Sequence, residues 1–458
     1  MQSKANRLAS SFRDPQGFVF KENGRIYRRI EEAFRPHYEK LQSSGLYKEL
    51  SEKGLLVSHE ELPLSADESA YKIIAPQMIP FISYPYEWSF SQLKDAALLT
   101  LEIATIALKH GMILKDASAY NIQFQGTKPI LIDTLSLETQ KAGAAWIAYR
   151  QFCEHFLAPL ALMSHGDLRA SKLLTTFIDG LPLDLVSKLL PWKTRFNPAL
   201  FMHIYLHARA QKEHSGESLK ELEQRSMPES SLFALLDNLS DSVQSLTLNK
   251  AKTAWSDYYA NNNYTDASIK EKEKLVAELI QENQLDEIWD VGANTGRFSR
   301  IAAELGARVI SMDFDPLCVE MNYQISKEKK LDLLPLLIDL CAPSPAIGWN
   351  NKERLSLIQR APAKLTLALA LIHHLAIANN VPLKMLAEFF HEISQKLIIE
   401  FVPKEDSQVQ RLLASRADIF QNYNEDNFKR EFSAYFKILA IKPIPGTMRT
   451  IYLMERIS

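Results

Sequence analysis

The sequence predicts an α/β C-terminal domain built on a doubly wound, seven-stranded sheet whose last strand is antiparallel, preceded by an α+β domain. Three observations predict it. From about residue 268 onward, strand-like and helix-like segments alternate. The strand segments are near-continuous apolar runs, as in a parallel sheet covered on both faces. The two closing strands are joined by a short loop containing Pro445 and Gly446, which only an antiparallel pair permits.

The elements follow in order. In the first half, Asn23-Gly24 between apolar-alternating arms predicts a hairpin over 17–30. A helix is expected over 30–53, one or two short strands over 71–85 and a helix over 91–110. Strands follow near 122–124 and 129–133, and the pattern is helical over 142–210. Residues 211–250 turn polar and serine-rich, which places a domain join near 240–250 and gives domains of 1–245 and 246–458. In the second half, strands are expected at 287–291, 307–313, 333–339, 364–372, 397–401, 436–444 and 450–455, with helices at 268–282, 296–305, 316–329 and 383–395.

Composition bounds the function classes. The 458 residues are 46% hydrophobic and 24% charged, which is ordinary globular usage. Fifty-three basic and 55 acidic side chains give a net charge of −2, which argues against a nucleic-acid coat. Three scattered cysteines, Cys153, Cys318 and Cys341, suit neither a disulfide framework nor a zinc cage, so a reducing, cytoplasmic setting is expected. The N-terminus leads into no signal-peptide core. The greasiest stretch, 96–114, carries Glu102, Lys109 and His110, so no membrane span is expected.

The motif of the second half is Trp289-Asp-Val-Gly-Ala-Asn-Thr-Gly-Arg-Phe-Ser299, at a strand end and opening a helix. Gly292 and Gly296 allow a tight turn and a close ligand. About twenty residues on, Asp313 ends the next strand, where a carboxylate can accept both hydroxyls of a ribose. Asn294 and Arg297 stand where a dinucleotide site needs glycines. Asp290 would oppose a pyrophosphate but suits a cation. No Gly-Lys-Ser/Thr follows, so a P-loop is excluded.

Over about 255–458 the sequence resembles the class I S-adenosylmethionine-dependent methyltransferases, which share this turn, the second-strand acid and a reversed final strand. The resemblance implies that Asp290, Gly292, Asn294 and Gly296 cradle the methionine part, that Asp313 binds the ribose and that Asp339 lies near the adenine. The Asp/Asn-Pro-Pro-aromatic motif of many nucleobase amine methylators is missing after the fourth strand, where the chain reads Ala368-Leu-Ala-Leu-Ile-His-His-Leu375. His373 or His374 is the candidate general base for a hydroxyl acceptor, one of the two facing the cleft; loop histidines that only satisfy the backbone are the plain alternative. A metal site of both histidines with Glu400 has no ligand spacing behind it, so no metal is expected. The runs 371–382 and 400–404 resemble a narrower group of bacterial methyltransferase-like proteins related to a nodulation host-specificity protein, which implies a carbohydrate, envelope or other small-molecule acceptor and fixes no substrate. Trp255, Tyr258, Tyr259 and Tyr264 could stack on a ligand as a lid or clamp the domains together. Arg354 and Arg360 are candidates for an anionic acceptor.

In the first half, Lys115-Asp-Ala-Ser-Ala-Tyr-Asn121 and Ile130-Leu-Ile-Asp133 resemble the catalytic loop and metal-binding aspartate of protein-kinase-like folds. The resemblance implies Asp116 orienting a hydroxyl, with Asn121 and Asp133 holding magnesium on ATP phosphates. The chain departs from that family by lacking a glycine-rich loop and an evident phosphate-binding lysine, with Arg28, Arg29 and Lys72 as poor substitutes. A degenerate module is therefore expected. The alternatives to a methyltransferase are a bifunctional protein that also transfers phosphate and a non-catalytic scaffold that keeps the cofactor fold.

Overall fold

In the computed structural model, residues 7–63, 70–213, 227–248, 265–414 and 417–457 are described. The chain forms two compact units, Met1–Lys250 with Ala346–Arg354, and Ala251–Pro345 with Leu355–Ser458. Nothing in the sequence marks the return of Ala346–Arg354 to the first unit.

The first unit opens with a hairpin of β1 (Gly17–Glu22) and β2 (Arg25–Ile30). Asn23 and Gly24 both take positive φ, +49° and +79°, as a two-residue turn between twisted strands requires. With β3 (His59–Leu62) and β4 (Lys72–Pro76), the hairpin makes an antiparallel sheet of order β1-β2-β4-β3. The helix expected over 30–53 is two helices, α1 (Arg35–Ser43) and α2 (Leu46–Glu52), because Gly45 adopts φ +81° between them. The prolines around residue 80 end strand pairing, so only β4 forms in that stretch. Ser89 and Gln92 cap the long helix α3 (Phe90–Lys109) with a reciprocal capping box. Two small antiparallel pairs follow: β5 (Met112–Leu114) with β8 (Leu137–Thr139), and β6 (Ile122–Gln125) with β7 (Lys128–Leu131). The described residues 149–245 of the unit are mostly helical, including π-helical turns at Cys153–Leu157 and Phe201–Leu206.

The second unit is a seven-stranded sheet: β9 (Glu287–Val291), β10 (Arg308–Asp313), β11 (Leu333–Leu337), β12 (Ala363–Ala368), β13 (Ser394–Phe401), β14 (Phe436–Pro443) and β15 (Thr450–Arg456). Its order is β11-β10-β9-β12-β13-β15-β14, with β15 antiparallel to both neighbours and the other pairs parallel. Alternate residues on both faces are buried: Ile288, Val309 and Leu365 on one, Trp289, Ile310 and Leu397 on the other. That explains the continuous apolar runs. The first face packs on the helices Asp266–Asn283 and Arg297–Glu304. The order reverses between β9 and β12, which opens a crevice at the carboxyl ends of these strands.

The loop leaving β9 is shaped by three positive φ angles, Gly292 +73°, Asn294 +53° and Gly296 +76°. A Cβ on Gly296 would lie 2.0 Å from Asn322 Oδ1, and Asn322 in turn donates to Ser311 Oγ at 2.8 Å. Glycine at 296 is therefore required twice, by conformation and by space.

A buried ion network stands behind the same strand ends. Lys272 Nζ lies 2.5 Å from Glu400, and Arg449 contacts Glu400 at 3.4 Å and Asp406 at 2.7 Å, all four side chains being almost wholly excluded from solvent. Removing one partner strands a buried charge, so Glu400→Ala is expected to cost about 3–5 kcal/mol; urea denaturation measures it. Lys272→Met combined with Glu400→Leu is expected to cost less than the two single changes summed. Gly296→Ala is expected to lose about 1–2 kcal/mol from its positive φ alone, with the Asn322 collision adding to that, readable in the same titration.

Candidate functional site

A cavity of about 300 Å³ opens at the carboxyl ends of β9, β10, β11 and β12. Every strand that borders the order reversal contributes to its wall: Asp290 and Gly292 from β9 and its loop, Asp313 from β10, Asp339 beyond β11, and Leu369 to Leu371 beyond β12. Ile338, Leu340, Phe314 and Leu375 give it an apolar lining.

Asp313 ties two loops together. Its Oδ2 accepts the Asn294 N–H at 2.7 Å and its Oδ1 accepts the Asp315 N–H at 2.9 Å. A carboxylate has about four acceptor positions, so each oxygen keeps one for a ligand hydroxyl. Burial pushes Asp313 up to about 6 against the lowering effect of those two bonds. Asp290 is likewise pushed up to about 6 by burial, although Ser299 donates to it at 2.5 Å and Lys272 is nearby. Three carboxylates thus face one cavity whose wall has, among the described residues, a single Lys or Arg, Lys272, and that ammonium is turned to Glu400. The arrangement suits a ligand carrying positive charge beside an apolar body.

S-adenosylmethionine is such a ligand, and the residues present fit it. A Cβ at Gly292 would meet Leu371 at 2.8 Å, so glycine keeps the cavity floor open. The turn and both strand-end acids line the same space.

The structure separates the two histidines. β12 ends at Ala368, four residues before the expected end, and the chain turns through Ala370 at φ +51° into a π-helical turn, His374–Ala378. The pair therefore lies on a helical turn rather than on an alternating strand. His374 lines the cavity, whereas His373 is fully buried and neither ring nitrogen has a hydrogen-bond partner. Their rings are 4.1 Å apart. Burial first, then Arg449, lowers His374 to about 4, and burial also lowers His373 well below its ordinary value. Glu400 is committed to Lys272 and Arg449, and no metal-holding cluster of three His, Cys, Asp or Glu exists among the described residues.

Other candidates lie elsewhere. Arg354 belongs to the first unit, with its guanidinium 4.3 Å over the Tyr120 ring. Arg360 Nε donates to the Ser356 carbonyl at 3.3 Å. Trp255, Tyr258, Tyr259 and Tyr264 lie outside the described residues. Lys272 is the wall residue that the sequence reading missed. Its signal was present: it occupies a position of the apolar stripe Ile269, Lys272, Val276, Leu279, Ile280, where a charge must find a partner.

In the first unit, β5–β8 and β6–β7 bracket Asp116, Asn121 and Asp133, and the three come together. Asn121 bonds to Asp116, whose pKa burial raises and the nearby Asp133 raises further. Asn121 Nδ2 also donates to Ser136 Oγ at 3.2 Å. Asp133, however, is ion-paired with Arg28 of β2 and accepts the Ser136 hydroxyl. A guanidinium thus sits on the carboxylate that would have to hold a metal.

Among the described residues, no helix is long and apolar enough to cross a membrane.

No family model matches the chain. Among solved structures, it is similar to the N-methyltransferase NodS from Bradyrhizobium japonicum WM9, with TM-score 0.33 and 9% identity over 42% of this chain and 98% of that one. It is similar to magnesium protoporphyrin IX methyltransferase (ChlM) from Synechocystis PCC 6803 with bound SAM, with TM-score 0.31 and 14% identity over 44% of this chain and 90% of that one. A match to WbdD has TM-score 0.29 and 14% identity, over 42% of this chain and 40% of that one. Over the full chain, the sequence is 37% identical to the nodulation protein NoeA of Rhizobium meliloti (strain 1021), across 99% of this chain and 97% of that protein. At that identity and coverage, the chain belongs to the family of the nodulation protein NoeA.

Proposed function

We propose that the second unit, with a domain boundary near 246, is an S-adenosylmethionine-dependent methyltransferase acting on an oxygen or nitrogen of a small-molecule, carbohydrate-class acceptor. The observation that carries this is the acidic cavity at the strand-order reversal, walled by Asp290, Asp313 and Asp339 around a glycine turn. The cofactor supplies a methyl group on a sulfonium, already activated for transfer. Asp290 and the 292–296 turn would hold the methionine part, Asp313 the ribose hydroxyls, and Asp339 with Ile338 the adenine side. His374, neutral at pH 7, would accept the acceptor's proton. The apolar lining would limit water once the ligands are bound, and most of the rate would come from holding the acceptor in line.

The kinase-like reading of the first unit is supported by its strand order and by the Asp116–Asn121–Asp133 cluster. The Arg28–Asp133 ion pair favours a degenerate module. Magnesium–ATP is expected to give no binding heat with the wild-type chain, and binding would revive the bifunctional alternative.

Calorimetric titration of S-adenosylmethionine is expected to show binding to wild type and a loss of at least tenfold in Asp313→Ala, since a hydrogen bond to a charged group contributes about 1.5–3 kcal/mol. Equal binding by both would refute the site. The pH dependence has a definite sign. Asp290 and Asp313 start from 3.8 and rise to about 6 in the folded chain, so the ligand-free unit loses stability as pH rises through that window. A cationic ligand needs them ionised, so its affinity rises over the same range. The Kd is expected to be about tenfold or more weaker at about pH 5 than at about pH 7.5. A flat profile would remove the two carboxylates from cofactor binding. Methyl transfer to any acceptor would exclude the scaffold alternative, and His374→Ala is expected to lower kcat while leaving cofactor Kd within about twofold, because proton transfer contributes to rate rather than to cofactor binding.

A further inference from the structure

The first unit carries an apolar surface that the methyl-transfer reading does not use. Leu189, Trp192, Phe196, Phe201, Met202 and Leu206 are all exposed, Trp192 at 65% and Phe196 at 76%. They come from three consecutive pieces: the helix Leu183–Leu189, the turn Trp192–Phe196 and the π-helical turn Phe201–Leu206.

These pieces form one surface. The Trp192 and Phe196 rings meet edge to face at 5.7 Å. The Thr194 and Tyr205 hydroxyls are 2.7 Å apart, Arg195 lies 5.5 Å over the Tyr205 ring, and Phe201 stacks on Tyr205. Residues 201, 202, 205 and 206 share one side of their helical turn. The opposite side is closed, with His203 and Ile204 buried and His203 bonded to Asn238 of the helix Glu229–Ser245 at 2.7 Å.

The charge around this surface is mostly basic. Lys193 and Arg195 are exposed among the apolar side chains, Lys188 is paired with the exposed Asp184 at 3.4 Å, and residues 185–212 contain no aspartate or glutamate. The chain as a whole has net charge −2, so the excess is local.

We propose that residues 188–209 are a docking surface for an anionic lipid bilayer, with Trp192 and Phe196 inserted at the headgroup boundary and Lys193 and Arg195 on the phosphates. Aromatic and aliphatic side chains interleaved with lysine and arginine are what an interfacial anchor requires. A second copy of the chain fits worse, because a two-fold contact would set Lys193 and Arg195 against their own counterparts. A single-stranded nucleic acid fits worse too, because Leu189, Met202 and Leu206 offer no stacking plane. The proposal stands independently of the methyl-transfer reading.

Co-sedimentation of the full chain with vesicles tests it. Binding is expected to phosphatidylcholine vesicles containing one third phosphatidylglycerol and not to pure phosphatidylcholine, and it is expected to be lost near about 0.5 M salt. Trp192→Ser with Phe196→Ser is expected to weaken binding at least about tenfold through lost apolar burial. Lys193→Glu with Arg195→Glu is expected to weaken it at least about tenfold through charge. Both variants should keep the wild-type melting temperature and S-adenosylmethionine affinity. Wild type left in the supernatant with both vesicle types would overturn the proposal, as would equal binding to the two. A wild-type dimer that Trp192→Ser with Phe196→Ser makes monomeric, without vesicle binding, would assign the surface to self-association. Displacement from vesicles by a fluorescent single-stranded oligonucleotide at equal affinity would assign it to nucleic acid.

Discussion

Four charges with almost no access to water hold the second unit's edge together. Lys272 comes from the helix before the sheet, Glu400 from β13, Asp406 from the loop beyond it and Arg449 from the approach to β15. Two cations and two anions sum to zero, so burial is tolerable only while all four are present. The network joins the first described helix of the unit, Asp266–Asn283, to its antiparallel edge. It also turns Lys272 towards Glu400 on the rim of the cavity. Asp290 and Asp313 are thereby left incompletely compensated, and burial pushes both upward. The fold and the ligand preference of the cavity thus have a common electrostatic origin.

The two units treat their strand-end aspartates in opposite ways. Asp133 receives a guanidinium from Arg28 and the Ser136 hydroxyl. Asp313 receives only backbone N–H groups, from Asn294 and Asp315. Backbone donors stabilise and orient a carboxylate without cancelling its charge, so it remains able to attract a cation. A full guanidinium cancels it. On this ground the cavity of the second unit suits a cationic ligand, whereas Asp133 of the first is committed to a structural ion pair.

How much of this was legible in the sequence depends on whether the signal is local. The Asn23-Gly24 hairpin, the seven strands and the glycine turn could be read because each is encoded within a few neighbouring residues. Gly45 as a break within an otherwise helical pattern is weaker, since glycine in a helix costs only about 1 kcal/mol and context decides. The end of β12 was misplaced because residues 369–372 are as apolar as the strand itself, and the turn at Ala370 has no sequence mark. The partners of Lys272 lie more than a hundred residues away at Glu400, beyond any periodicity argument. The Arg28–Asp133 pair and the return of Ala346–Arg354 to the first unit are equally non-local.

The misplaced strand end changes the chemistry available. Had His373 and His374 sat on an extended strand, they would have pointed to opposite faces of the sheet. On a helical turn they are neighbours, rings 4.1 Å apart, one at the cavity and one behind it. Two adjacent imidazoles close to Arg449 cannot both become imidazolium, and burial with that guanidinium holds His374 near 4. Such a group is neutral at pH 7 and thus in the right state to take a proton, but it is a weak base. In the proposed reaction, the imidazole can assist only an acceptor whose nucleophile sheds its proton as the methyl bond forms. Rate enhancement then falls mainly to the geometry that the glycine turn, Asp313 and the buried ion network impose on the cavity.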